Sequence, residues 1–331
     1  MARLLNGLVL ATVLAVLLSV ALSAGRAQEK TAGFLDAVVK IEAVVTSDAR
    51  TAATLGTRRS GSGVVIGDDG LIVTIGYLIL EAESAEVVAR EQRVSATIIG
   101  YDHETGLGLL RAATPLDIAP LEVGDSSALR VRDLVLVASH GGLDRAQRAY
   151  IVSRREFAGY WEYLVDDAIF TTPPYPEFGG AALIGGDGRL VGIGSLAVGD
   201  AVPGETSVPG NMFVPIDLLK PILGDMLAHG RRAGRARPWI GMFTEEFRGH
   251  VFVTRVAPDG PAEKAGVKPG DIVLAVAGEG VESLADLFRK VWARGDAGVE
   301  VPLAIVQGST VREMLIHTAD RYDYLRLGAR R

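Results

Sequence analysis

Residues 60–80 read SGSGVVIGDDGLIVTIGYLIL. Two apolar runs, Val64-Val65-Ile66 and Leu71-Ile72-Val73, flank Asp68-Asp69-Gly70. Asp-Gly between β-branched runs is the strongest short-range signal for a β-hairpin. The second run continues through Thr74-Ile75-Gly76 to Tyr77.

The same texture spreads outward from this hairpin. Ala37 to Val45 predicts a strand, with apolar residues at Val38, Val39, Ile41, Val44 and Val45. Thr46 to Arg59 is small and polar and predicts an exposed loop. Further strands are expected at 86–89, 94–101, 106–112, 134–138, 149–153, 163–170, 181–184 and 190–193. Turn residues such as Gly185-Gly186-Asp187-Gly188 separate them. Short strands at about ten-residue spacing predict a barrel or sandwich. From Pro215 to His229 the period changes. Ile216, Leu219, Ile222, Leu223, Met226 and Leu227 recur at helical spacing, and Gly230 ends the run. Residues 231–237, RRAGRAR, read as a solvated linker, with an acidic-lipid patch as the weaker alternative.

A second module begins at Pro238. Val251 to Val256 predicts a strand, and Gly260 to Val267 a short helix with proline near its start and glycine near its end. Pro269-Gly270-Asp271 turns into a strand over 272–276. Ser283 caps a helix reaching to about Arg294, with Asp286 three residues on. Strands at 299–306 and 311–316 complete it.

Length and composition set the outer bounds. A chain of 331 residues with 48% apolar content supports two domains, each with its own core. Forty glycines and only 6% aromatics favour turn-rich β structure. A net charge of −6 argues against nucleic acid, which needs a clustered basic face. With no cysteine there is no disulfide framework, thiolate metal site or cysteine nucleophile. At the N-terminus, Arg3, an apolar run over residues 8–24 and a small-residue end at Ala27 read as a secretory signal peptide over 1–27. The alternative is an uncleaved anchor, since the run is near the lower limit for spanning a bilayer. In both cases the body of the protein is exported, to the periplasm or beyond.

These segments resemble the HtrA/Deg family of trypsin-like serine proteases. The hairpin is similar to the family's strand and turn that carry the general-base histidine. The run GPAEKAGVKPGDIVLAVAGEGVES at 260–283 is similar to the most characteristic stretch of a PDZ domain. The resemblance covers residues 37–318. It implies a mostly β chain: a trypsin-like double β-barrel over 37–228, a linker over 229–237, an α+β PDZ domain over 238–318 and a tail over 319–331. It calls for no cofactor and no metal.

The resemblance also fixes where catalysis should reside. Acyl transfer by serine needs a hydroxyl, an imidazole to take its proton and a carboxylate to orient the imidazole. The family's histidine position is Tyr77 here, a phenol with an unperturbed pKa of about 10. The aspartate position falls in DHETGLGLL, at Gly106, and the serine position in YPEFGGAAL, at Gly179. Glu177 and Phe178 replace the small residues before it, beside the pocket where an oxyanion would form. All three triad positions therefore lack usable groups. Ser62, Ser139, Ser153 and Ser195 remain as candidates for a relocated nucleophile. The adjacent Ser139-His140 is not by itself a dyad, because neighbours on an extended chain point apart. There is no phosphate loop and no metalloprotease motif.

The PDZ resemblance implies a peptide site that is intact. Such domains add a C-terminal peptide to a sheet edge and hold its carboxylate on backbone N–H groups. That loop is Ile240-Gly241-Met242 here. Leu287 and Val291, four apart on the later helix, either line an apolar pocket or belong to the core. The expected function is an exported pseudoprotease that binds C-terminal peptides or unfolded proteins as a chaperone, adaptor or regulatory subunit. A homo-oligomer, or a hetero-oligomer with an active relative, is the implied assembly. The rival is an active serine endopeptidase using relocated residues.

Overall fold

The computed structural model describes residues 33–204 and 207–327. The expected signal or anchor segment over 1–27 lies outside them. Strands β1 (Val38–Val45), β2 (Arg58–Val65), β3 (Leu71–Ile75), β4 (Ala82–Ala89), β5 (Gln92–Tyr101) and β6 (Leu107–Ala112) close one barrel in the order β1-β2-β3-β6-β5-β4. Between β1 and β2 lies one helical turn, α1 (Ala52–Leu55). A second barrel is formed by β7 (Leu134–Ala138), β8 (Ala146–Gly159), β9 (Tyr163–Thr172), β10 (Ala182–Ile184), β11 (Leu190–Val198) and β12 (Gly210–Pro215). Its order is β10-β11-β12-β9-β8-β7. Closure removes the free edges that a sheet of short strands would otherwise present. The hairpin of residues 60–80 is the β2–β3 pair, with Val64 opposite Val73. β3 is buried at every position, which places the segment following it at the seam between the barrels. The largest hydrophobic cluster crosses that seam, joining Ile72 and Leu109 of one barrel to Ile193 and Val214 of the other.

Helix α2 (Leu223–His229) follows β12 and ends at Gly230 in the left-handed conformation. Then come β13 (Met242–Phe247), β14 (His250–Val256), α3 (Pro261–Lys264), β15 (Ile272–Val276), β16 (Glu279–Gly280), α4 (Leu284–Trp292), β17 (Glu300–Gln307) and β18 (Thr310–His317). The sheet runs β13-β14-β15-β17-β18, with β16 on β15. Ser283 caps α4 by accepting from Asp286 N–H at 3.1 Å, and α4 buries Leu284, Leu287, Phe288 and Val291. A last turn, α5 (Arg321–Tyr324), is capped by Asp320.

Four expectations need correction. The loop over 46–59 is shorter than expected: Arg58 and Arg59 already belong to β2, paired by backbone with Val44 and Ala43. Polar side chains hide a strand whose pairing needs only its main chain. The helix expected over 215–229 is interrupted. Ile216–Leu218 forms a 3-10 turn, and the α-helix begins only at Leu223. Pro221 lies between them and cannot donate to a continuous helix. Residues 28–36 read in sequence as a polar, flexible lead-in, but Leu35 is fully buried and Phe34 packs on the core.

The linker and tail are pinned rather than free. Arg232 pairs with buried Asp102 at 3.2 Å, and Arg237 pairs with Glu104 at 2.8 Å while lying over the Trp292 ring. Tyr322 Oη donates to Tyr101 O at 2.6 Å, and Arg326 N–H donates to Glu81 at 2.7 Å. The PDZ domain is entered and left at one bridge, where Trp239 and Ala319 exchange two backbone hydrogen bonds of 3.0 Å.

Candidate functional site

Tyr77 sits in the single 3-10 turn Gly76–Leu78 that follows β3. Gly76 is required there by packing. A Cβ would lie 1.9 Å from the Tyr101 ring, and its N–H donates to Gly106 O at 2.7 Å. Buried Arg59 holds the turn from below, donating to Tyr77 O at 2.9 Å and Leu80 O at 2.7 Å. The Tyr77 hydroxyl donates to Ser195 O in β11 at 3.0 Å. Burial pushes its phenol well above the ordinary value.

Gly179 arrives from the other barrel. Its carbonyl accepts from Ser62 N–H at 2.9 Å, and a Cβ on it would stand 3.0 Å from Tyr77 Oη. Gly106 has φ +75°, and a Cβ on it would lie 3.1 Å from the Tyr163 ring. The three positions singled out in the sequence therefore converge: 179 meets 77 directly, and 106 is bonded to 76. Glu177 does not stand as a free charge there. It accepts from Ser139 Oγ at 2.6 Å and pairs with Arg145 at 2.5 Å.

The hydroxyls of Ser139, Ser62 and Ser153 are engaged in hydrogen bonds. Ser139 Oγ lies 2.7 Å from the Tyr175 hydroxyl, besides donating to Glu177. Ser62 Oγ accepts from His140, but from its backbone N–H at 3.2 Å rather than its ring. Ser153 Oγ donates to Ala201 O at 3.0 Å. Ser195 contributes its carbonyl to Tyr77. Asp102, four residues before Gly106, accepts from Thr105 N–H and Oγ1 at 2.9 and 2.8 Å and from Arg232. It faces the linker.

In the PDZ domain Ile240, Gly241 and Met242 are all buried, and Gly241 adopts φ +76°. That left-handed residue aims three successive N–H groups at one point. The point is occupied by Glu162. Its carboxylate accepts from Ile240 at 3.1 Å, Gly241 at 2.7 Å and Met242 at 3.1 Å. Burial pushes the Glu162 carboxyl up to about 7, against the opposite pull of those N–H groups and of Arg321. Leu287 and Val291 are fully buried in one cluster with Ile240 and Met242. Ala158 and Leu164, from the two strands of the β8–β9 hairpin, pack on that cluster.

Sequence reasoning missed Glu162 altogether. Its only local signal is the aromatic turn Gly159-Tyr160-Trp161-Glu162-Tyr163, which reads as an ordinary hairpin tip. Nothing local to it announces a partner almost eighty residues away.

Comparison with known proteins agrees with this architecture. Residues 61–193 match the trypsin-like peptidase domain family, and residues 252–306 match the PDZ domain family. Among curated relatives, the periplasmic pH-dependent serine endoprotease DegQ of Escherichia coli is 26% identical over 270 residues. That match covers 77% of this chain and 58% of DegQ. A probable periplasmic serine endoprotease DegP-like of Brucella suis is 30% identical over 251 residues, covering 70% of this chain and 47% of the relative. The chain spans about half the length of the curated relatives it matches. Among solved structures, the HtrA-type protease AlgW with a decapeptide superposes with a TM-score of 0.52 at 19% identity, covering 88% of this chain and 97% of AlgW. The serine endoprotease from Yersinia pestis gives 0.51 at 22%, covering 88% and 96%. These likenesses support the fold. The chain thus consists of a trypsin-like peptidase domain of two closed barrels followed by a PDZ domain, an arrangement similar to that of HtrA-type proteases.

Proposed function

We propose that this protein is an exported pseudoprotease, which binds C-terminal peptides or unfolded protein termini through its PDZ domain without cutting them. The observation that carries this reading is the Tyr77–Gly179 pair. The position facing the phenol has no hydroxyl to activate, and the phenol O–H is itself a hydrogen-bond donor to Ser195 O. A raised phenol pKa makes it a poorer proton acceptor still at neutral pH. Periplasmic location is supported by the relatives named above. A chaperone, adaptor or regulatory role, in a homo-oligomer or beside an active relative, follows from the same reading.

The test is hydrolysis of unfolded casein by the purified protein, alongside labelling with a fluorophosphonate. No turnover and no labelling are expected. Labelling lost in Ser139→Ala or Ser195→Ala would establish a relocated nucleophile and overturn the reading.

A further inference from the structure

We propose that Tyr160-Trp161-Glu162 is an internal ligand of the PDZ groove, so that the groove is closed at rest and an external C-terminal peptide must displace it. This rests on the peptide-binding reading given above.

A PDZ ligand runs antiparallel to the first strand of the groove, its carboxylate on the loop amides and its backbone bonded to that strand. The hairpin tip reproduces this arrangement. The Glu162 carboxylate sits on the amides of 240–242, and Thr244 N–H in β13 donates to Tyr160 O at 2.9 Å. As the tip runs from 160 to 162, its partners run from 244 back to 240–242. A side-chain carboxylate at 162 thus replaces a chain terminus, and Tyr160 stands two residues before it.

The tip is held from outside the groove as well. Arg321 of α5 donates to Trp161 O at 3.1 Å. Arg289 of α4 reaches across to Asp166 at 2.5 Å and to Glu156. Tyr163 Oη donates to Thr105 O at 2.7 Å. Because the internal ligand is tethered, it competes at a high effective concentration.

The experiment measures a fluorescein-labelled peptide ending Ala-Gly-Tyr-Trp-Val with a free carboxylate, against its C-terminal amide as control. Wild type, Glu162→Ala and Arg289→Ala are compared as full chains, and amide hydrogen exchange of residues 240–244 is followed in each. A groove closed nine times in ten weakens apparent binding about tenfold. Glu162→Ala is therefore expected to bind the free-acid peptide about tenfold more tightly than wild type, and Arg289→Ala by a smaller factor of about three. Exchange at 240–244 is expected to accelerate in Glu162→Ala ahead of the rest of the PDZ domain. Equal affinity in wild type and Glu162→Ala, or unchanged exchange at 240–244, would overturn the proposal. Faster exchange in Glu162→Ala with no peptide bound by any variant would uphold the internal ligand and defeat the peptide-binding reading instead.

Discussion

The Tyr77 hydroxyl and the carbonyl of Ser195 lie 3.0 Å apart across the seam between the two barrels, with the phenol as donor. The bond makes the Tyr77 side chain a strut between the turn after β3 and strand β11.

Removing that strut should be measurable. Tyr77→Phe leaves the Ser195 carbonyl without its partner and is expected to cost about 1 kcal/mol in urea unfolding. A loss nearer about 3 kcal/mol would mean that the Ser195 carbonyl is left buried with no replacement partner.

Gly179→Ser is expected to fold. Position 179 has no positive φ, and the new Cβ meets only the end of the Tyr77 side chain at 3.0 Å. Alone it should not label with fluorophosphonate, because its neighbour is not a base. Tyr77→His/Gly179→Ser should label slowly. Adding Gly106→Asp should give no further gain and cost about 1–2 kcal/mol, since φ there is +75° and Tyr163 occupies the space. Full proteolytic activity in the triple variant would contradict that account of Gly106.

Asp102→Ala should be severe. The carboxylate is buried and accepts from Thr105 and from Arg232, so its loss leaves Arg232 with Glu104 alone and frees the turn that carries Gly106. About 3 kcal/mol is expected in thermal or urea unfolding. A loss below about 1 kcal/mol would place the linker's hold elsewhere.

Peptide affinity should depend on pH through Glu162. Closing the groove buries a carboxyl whose pKa rises to about 7 from an ordinary value near 4.3, so closure takes up a proton. Falling pH therefore favours the closed form, and affinity should rise as pH goes from 5 to 7 and level off above, by at most about tenfold per unit. Arg321 of α5 acts directly on Glu162, and the same cavity is lined by Asp320 and Tyr322 beside it, Asp102, His103 and Glu104 from the first barrel, Tyr163 from β9, and Arg231, Arg232, Arg235 and Arg237 from the linker. Burial, together with the nearby Arg321 and Arg231, holds the His103 imidazole well below its usual range. Titrations of wild type and Glu162→Gln separate the causes: the variant should be flat, and a parallel slope in both would assign the dependence to another group.

Much of the fold was legible in the sequence because local patterns and tertiary burial agree in it. The Asp69-Gly70 hairpin, the Ser283 cap and the run at 260–283 each carry their own turn chemistry. The positions 77, 106 and 179 could be singled out because strand and turn motifs on either side anchor them, and they do converge in space. What escaped notice depends on contacts between distant segments. Arg58 and Arg59 join β2 through main-chain pairing that their side chains conceal. Pro221 breaks a run whose apolar spacing alone suggests one helix. The basic residues 231–237 look solvated until Asp102, Glu104 and Trp292 are seen beside them. Glu162 is the sharpest case, because a carboxylate at a hairpin tip has no local signature that distinguishes a solvent-facing charge from the occupant of another domain's binding loop.

The Trp239–Ala319 bridge makes the PDZ domain a lobe whose chain enters and leaves at a single point. About eighty residues leave and return within one pair of backbone hydrogen bonds, while the segment beyond them is fastened to the first barrel through Tyr322 and Arg326. If the hairpin tip lets go and the Arg289–Asp166 and Arg50–Asp259 ion pairs open with it, the lobe can swing about that pivot without tearing its tail from the barrel. The length of loop to be closed again does not change, so return to the resting position is a short search rather than a refolding event.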